Sequence, residues 1–271
     1  MRVHALALFC ATFIVMSSAC AVTTDRLPTL SAEDYLVQMQ IKSNRVEAML
    51  SEWSAAEKRG DAHVAGPEEQ NAALTADVEG MIHDVTMAHE LGHPVGTYWL
   101  AQFTSKTIVE SPEDNTQACA LYQTALDRGL LAAAVSRFHR CNKAFERFVL
   151  NDAGQLKLIA ELKHLLQRQD AYQAYYPLPT KRSLCFDDPA IRVPERTLAG
   201  LRKALAPAVL SYDQYRAEAY YLLAVADVNA KGEIGPQNLS YLNQAIALGC
   251  SDFLGFKAVY EQTLSKGNTS R

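Results

Sequence analysis

Three residues recur at one fixed interval in the middle of this chain: Asp77, Ala88 and Gly92 are answered thirty-seven positions later by Asp114, Ala125 and Gly129. A period of that size fits one helical hairpin, and a hairpin can bury its apolar face only by stacking on a neighbour. A third copy runs through Ala219, Tyr221, Leu223 and Ala224, past Lys231, Gly232 and Glu233, to Tyr241, Ala245 and Gly249. Alanines let two helices approach closely and aromatic residues fill the gap to the next hairpin. Gly92, Gly129 and Gly249 stand where a helix ends in a left-handed cap. Apolar residues recur at helical spacing almost throughout, and strictly alternating β-branched runs are missing. The expected fold is therefore all-α: a helix-hairpin solenoid with a helical insertion.

The expected organisation is a signal segment over 1–20, an N-terminal linker and long helix over 21–66, and repeat hairpins over 67–149. A helical insertion with a Pro/Tyr-rich loop follows over 150–212, and C-terminal repeat hairpins close the chain over 213–265. Ser31 with Asp34 three positions on predicts an N-cap. Tyr35, Leu36, Met39, Val46, Met49, Leu50 and Trp53 then mark one face of the long helix, which the stretch 60–67 breaks.

The first residues have the three parts of a secretory signal: a basic start at Arg2, an apolar run over 5–16, and small residues over 17–21. The apolar run is too short to span a bilayer. Two kinds of processing fit. Cleavage after Ala21 is one; the other is a bacterial lipoprotein signal in which Cys20 becomes the acylated first residue, with Ser17 where that pattern usually has Leu. Both predict export to the periplasm, with membrane attachment only through a lipid on Cys20. The formal charge is −4, or about −5 once Arg2 is removed, which argues against nucleic acid as partner.

Of six cysteines, Cys10 and Cys20 fall in the signal, leaving Cys119, Cys141, Cys185 and Cys250, an even number for an oxidising space. If the helices on either side of Gly129 to Leu131 run antiparallel, Cys119 and Cys141, equidistant from residue 130, lie level and can pair. Two buried free thiols are the alternative. Cys185 with Cys250 follows by elimination.

The unit Asp114, Ala118, Leu121, Tyr122, Ala125, Gly129 and Ala133 resembles the Sel-one-like repeats, relatives of the tetratricopeptide repeats, and Gly92 and His93 with Tyr98, Leu100 and Ala101 are similar to that family's next helix. The resemblance covers roughly 77–135 and 217–253, with Glu110, Ser111, Pro112 and Glu113 where the family has a Gly-x-Gly turn. It implies a curved stack that binds other proteins and carries no fixed chemistry. Exported proteins of this kind resemble immunity proteins that neutralise secreted toxins, including phospholipase effectors of type VI secretion systems. Another protein of that kind is thus the implied partner, with no cofactor. A scaffold or regulator of an envelope complex is the alternative in the same class.

One motif points to chemistry instead. His89, Glu90, Leu91, Gly92 and His93 form a literal His-Glu-x-x-His; on an unbroken helix both imidazoles would bind zinc and Glu90 would serve as general base of a zinc hydrolase. Pro94 opposes this, because the residue before proline is driven out of the helical region. Trp99 stands where a metzincin would place its third histidine, and Glu113 is the one substitute ligand in view. The expectation is no metal and no catalytic set. The stretch 171–179, with Tyr172, Tyr175 and Tyr176 among two prolines, has the composition of a sticky binding loop. Packing over the insertion helices is its alternative. His139, His164 and the remaining acids read as solvated or locally paired.

Overall fold

In the computed structural model the described residues are 30–59, 68–105, 115–147, 149–186, 207–229, 231–252 and 255–268. The expected signal segment with Cys20, the expected break over 60–67, and Glu113 with Asp114 lie outside them. The described chain is mostly helical. The helices are α1 (Ala32–Lys58), α2 (Glu68–Glu90), α3 (Pro94–Thr104), α4 (Thr116–Asp127) and α5 (Leu131–Cys141), then α6 (Lys143–Glu146) and α7 (Ala153–Leu166), and last α8 (Tyr212–Ala226), α9 (Pro236–Ala247) and α10 (Phe256–Asn268). Each of α1 to α5 packs on the next; α7 and α8 both lie against α5 and against each other, and α9 and α10 continue from α8.

The helix ends follow the glycines. At three turns the backbone closes in the same way: His93 N–H to Ala88 O at 2.9 Å, Leu130 N–H to Ala125 O at 3.3 Å, and Cys250 N–H to Ala245 O at 3.0 Å, each around a glycine of positive φ. This is the Schellman closure, and Gly92, at φ +86°, takes a conformation that an L side chain rarely adopts. The echoed alanines thus supply the carbonyls that receive the closing bond. Ala88 has a second duty: a Cβ on Gly96 would fall 2.6 Å from Ala88 Cβ, so these two small residues set how closely α2 and α3 approach.

Ser31 caps α1 reciprocally with Asp34, by Ser31 N–H to Asp34 Oδ2 at 2.8 Å and Asp34 N–H to Ser31 Oγ at 3.1 Å. Leu36 and Met39 are buried, whereas Leu50 is 39% exposed, so the predicted apolar face of α1 fades along the helix. Two ion pairs, Lys42–Asp84 and Arg45–Asp77, also join α1 to α2.

The insertion differs from the sequence expectation in two ways. It contains a short antiparallel pair, β1 (Leu178–Thr180) with β2 (Ala208–Leu210), in the register Leu178 to Leu210 and Thr180 to Ala208. It also reaches the centre of the molecule: the hydroxyls of Tyr98 and Tyr215, 2.8 Å apart, converge on the Pro179 carbonyl, with Ser136 Oγ 2.9 Å from Tyr98 Oη. Burial pushes the Tyr98 hydroxyl up to about 12, so it stays protonated as a donor.

His139 is a correction: it is neither solvated nor locally paired but buried, with Nε2 2.8 Å from Oε1 of Glu218, 79 residues away. Glu218, on α8, also accepts from Ser183 Oγ at 2.7 Å and from the backbone N–H groups of Leu184 and Cys185 at 2.6 and 3.0 Å. Burial pushes this carboxyl up, but the bonds from His139, Leu184 and Ser183 outweigh it and hold the group below its ordinary 4.5. A carboxyl depressed by folding adds stability above its unfolded value, and that stability is lost as pH falls through the folded value. Glu218→Gln, which leaves buried donors facing an amide, should lower unfolding free energy by about 3 kcal/mol or more at pH 7. Denaturant titrations should also show a flatter acid limb below pH 4.5 for the variant than for the parent.

Two disulfides close the frame. Cys119–Cys141 joins α4 to α5 with Cα atoms 5.8 Å apart, and Cys185–Cys250 joins the segment after β1 to the turn after α9 with Cα atoms 4.5 Å apart. Their separations of 22 and 65 residues correspond to about 3 and about 4 kcal/mol of unfolded-chain entropy. Paired Cys→Ser replacement should therefore cost more at 185 and 250 than at 119 and 141, measured by urea midpoints on oxidised protein.

Candidate functional groove

As the proline led one to expect, the His89–His93 pair of the zinc alternative comes apart at the helix end. α2 stops at Glu90, and His93 has φ −79° and ψ 125°, extended backbone at the N-cap of α3, with Pro94 in the first turn. Its Nδ1 accepts from Val95 N–H at 3.2 Å, whereas His89 Nδ1 lies 2.9 Å from Thr97 Oγ1. The two rings therefore serve two different local bonds, not one shared ligand position. Among the described residues no group of three or more His, Cys, Asp or Glu side chains could hold a metal ion, and no helix is long and apolar enough to cross a membrane.

The three tyrosines separate into two roles. Tyr176 is an internal strut. Its hydroxyl donates to Asp170 Oδ2 at 2.9 Å and accepts from Ala132 N–H at 3.0 Å, its ring stands edge-on to Tyr212 and Tyr215, and burial drives its ionisation far above the ordinary tyrosine value. Asp170 explains why the loop lies here. Leu130, the N-cap of α5, offers no side-chain bond, and Asp170 takes its place by accepting from Leu131 N–H at 3.1 Å and from Tyr172 N–H at 2.7 Å. Neither Asp170 nor Glu218 stood out in the sequence, where an isolated acid next to a loop carries no pattern.

Tyr172 and Tyr175 are half-exposed and pack their rings at steep angles against the His93 ring, with centroids 5.6 and 4.9 Å away. Burial lowers the His93 pKa, with Glu33 opposing and Arg128 adding to that shift, so the ring is neutral at pH 7. With Nδ1 accepting, its proton sits on Nε2. A shallow depression of about 600 Å³ opens here between the first turn of α1, the α2–α3 turn and the tyrosines. A second, of about 490 Å³, continues along α1 past Val37 and Gln40 and is faced by Trp99, Pro177 and Val209. Tyr175 lines both. Together they form a groove with α1 as one bank, the Tyr/Pro loop and β2 as the other, and the buried start of α3 beneath. Val37 is 60% exposed and Val209 57%. The sequence held one trace of this bank: Val37 is apolar but lies off the predicted face of α1.

Such a site offers aromatic and apolar contact on a fixed frame. On elemental analysis the protein should carry no stoichiometric zinc, and His89→Ala should cost only about 1 kcal/mol of stability through the Thr97 contact. One zinc per chain that disappears in the variant would favour the hydrolase alternative. No family model, no curated protein and no solved structure matches this chain.

Proposed function

We propose that this is an exported helical-repeat protein that works by holding another protein, with the groove between α1 and the Tyr/Pro loop as its contact surface. The observation that carries this is the pairing of half-exposed Tyr172, Tyr175 and Trp99 with exposed Val37 and Val209 on banks anchored by buried hydrogen bonds. Rigid aromatic anchors of this kind concentrate binding energy at protein interfaces. The repeat assignment draws on the three matching alanine-to-glycine closures and on the order in which α1 to α5 stack. Export draws support from the two disulfides, which belong to an oxidising compartment.

Within that class, the likeness to Sel-one-like repeats favours an immunity protein that neutralises a secreted toxin, such as a phospholipase effector, by covering its surface. Inhibition by occupancy is stoichiometric. Titration of a purified cognate effector should end at one equivalent, and Tyr175→Ala should weaken the complex by about 2 kcal/mol without changing the unfolding midpoint. Tyr176→Ala should instead lower the midpoint. Inhibition at a small fraction of an equivalent, or an effector that stays modified after removal of this protein, would sink the occupancy mechanism. Binding to an envelope complex without inhibition would favour the scaffold alternative.

A further inference from the structure

We propose that the groove takes an extended segment of the partner that sets a basic side chain among Tyr172, Tyr175 and His93, a second basic side chain near Glu47, and apolar side chains between them. This rests on the protein-binding reading and goes further by naming the chemistry of what is bound. Charge is the first support. Among the residues that line the two depressions, the formally charged ones are Glu33 and Glu47, both acids, both exposed on α1, and neither has an ion pair among the described residues. Asp34, beside Glu33, is already committed to the Ser31 cap. Arg128 reaches the same turn, but it donates to the Gly92 carbonyl and lines neither depression. An acidic groove with its counter-charge missing selects a cationic occupant.

The rings are the second support. Tyr172 and Tyr175 stand at 72° and 66° to the plane of His93 around one depression, and a lysine or arginine head over an aromatic face there gains cation–π attraction that a neutral group does not. A neutral His93 leaves that attraction intact, and the acid at Glu33 adds to it. Spacing is the third. Glu33 and Glu47 are fourteen residues apart, four turns of one helix, and so lie on one side of α1 about 21 Å apart. An extended chain covers that distance in about seven residues, and its alternate side chains all point to one face. Val37, Trp99 and Val209 occupy the interval with the apolar surface that such side chains require.

The probe is the blocked heptapeptide acetyl-Arg-Ser-Leu-Ser-Val-Ser-Lys-amide, titrated by calorimetry against the oxidised full chain without its signal segment. Saturable binding is expected. Citrulline in place of the arginine should weaken it by roughly threefold to fivefold, as should Glu33→Gln or Tyr175→Ala in the protein. The two changes at the arginine pair should also couple: once Glu33→Gln is made, citrulline should cost less than it does in the parent. Urea midpoints equal to the parent's keep a folding defect out of the comparison. Equal binding of the arginine and citrulline peptides, tighter binding of a peptide with glutamate at both ends, or no heat with the basic peptide at millimolar concentration would each overturn the proposal. A cognate effector that binds at one equivalent yet ignores Glu33→Gln and Glu47→Gln would sink the basic-segment proposal and leave the protein-binding reading standing.

Discussion

Between Asp170 and Phe186 the chain has only a single helical turn and one three-residue strand, and it keeps its place because buried polar groups of three helices bond to it. Asp170 completes the bare N-terminus of α5, the hydroxyls of Tyr98 from α3 and Tyr215 from α8 share the Pro179 carbonyl, and Glu218 of α8, itself bonded to His139 of α5, gathers Ser183, Leu184 and Cys185. Each contact satisfies a group that would be costly to bury alone, so the three sets of bonds fix the segment more firmly than its local propensity could. The groove depends on this. Tyr172, Tyr175 and Pro177 form a bank only while the segment stays clamped on both sides of them.

Depth of burial, not number of bonds, separates two sets of polar pairs among the described residues. Lys42–Asp84 and Arg45–Asp77 sit between α1 and α2 with at least one partner partly in solvent, and pairs of that kind add little to stability. His139–Glu218 is fully enclosed, and every oxygen of the carboxylate has a donor. Loss of one member there strands the others in a medium of low polarity, which makes this pair a condition for the fold. The Cys185–Cys250 link reinforces the same point in the chain, since Cys185 N–H also donates to Glu218.

What could be read from the sequence is what short-range chemistry determines. Gly92, Gly129 and Gly249 announced helix ends because positive φ is a property of one residue, and Ser31 with Asp34 announced a start because a capping box spans three positions. Pro94 likewise foretold that His93 would leave the helix. The partners of Glu218 lie 33 to 79 residues away, and Asp170 caps a helix 39 residues upstream, so no local window contains either arrangement. The β1–β2 pair was hidden for a related reason: three residues per strand is too short for alternation to show. The Tyr/Pro loop was visible as composition, but composition could not show that Tyr176, which lines the second depression, is held by Asp170 and Ala132 while Tyr172 and Tyr175 pack on His93.

On the proposed function, the two parts of the fold divide the labour. The stacked helices α1 to α5 set one bank and the base of the groove, and each of them is held by the helix it packs on. The opposite bank comes from the segment between the helices, where Tyr172, Tyr175, Pro177 and Val209 line the depressions. On that function, selectivity for a partner resides in this segment, and affinity can change there without loss of the helical frame, provided Asp170, Tyr176 and the Pro179 carbonyl keep their bonds. A surface replacement at Tyr175 and a strut replacement at Tyr176 are adjacent in sequence, but they act on different quantities: the first on the complex, the second on the bank that makes the complex available.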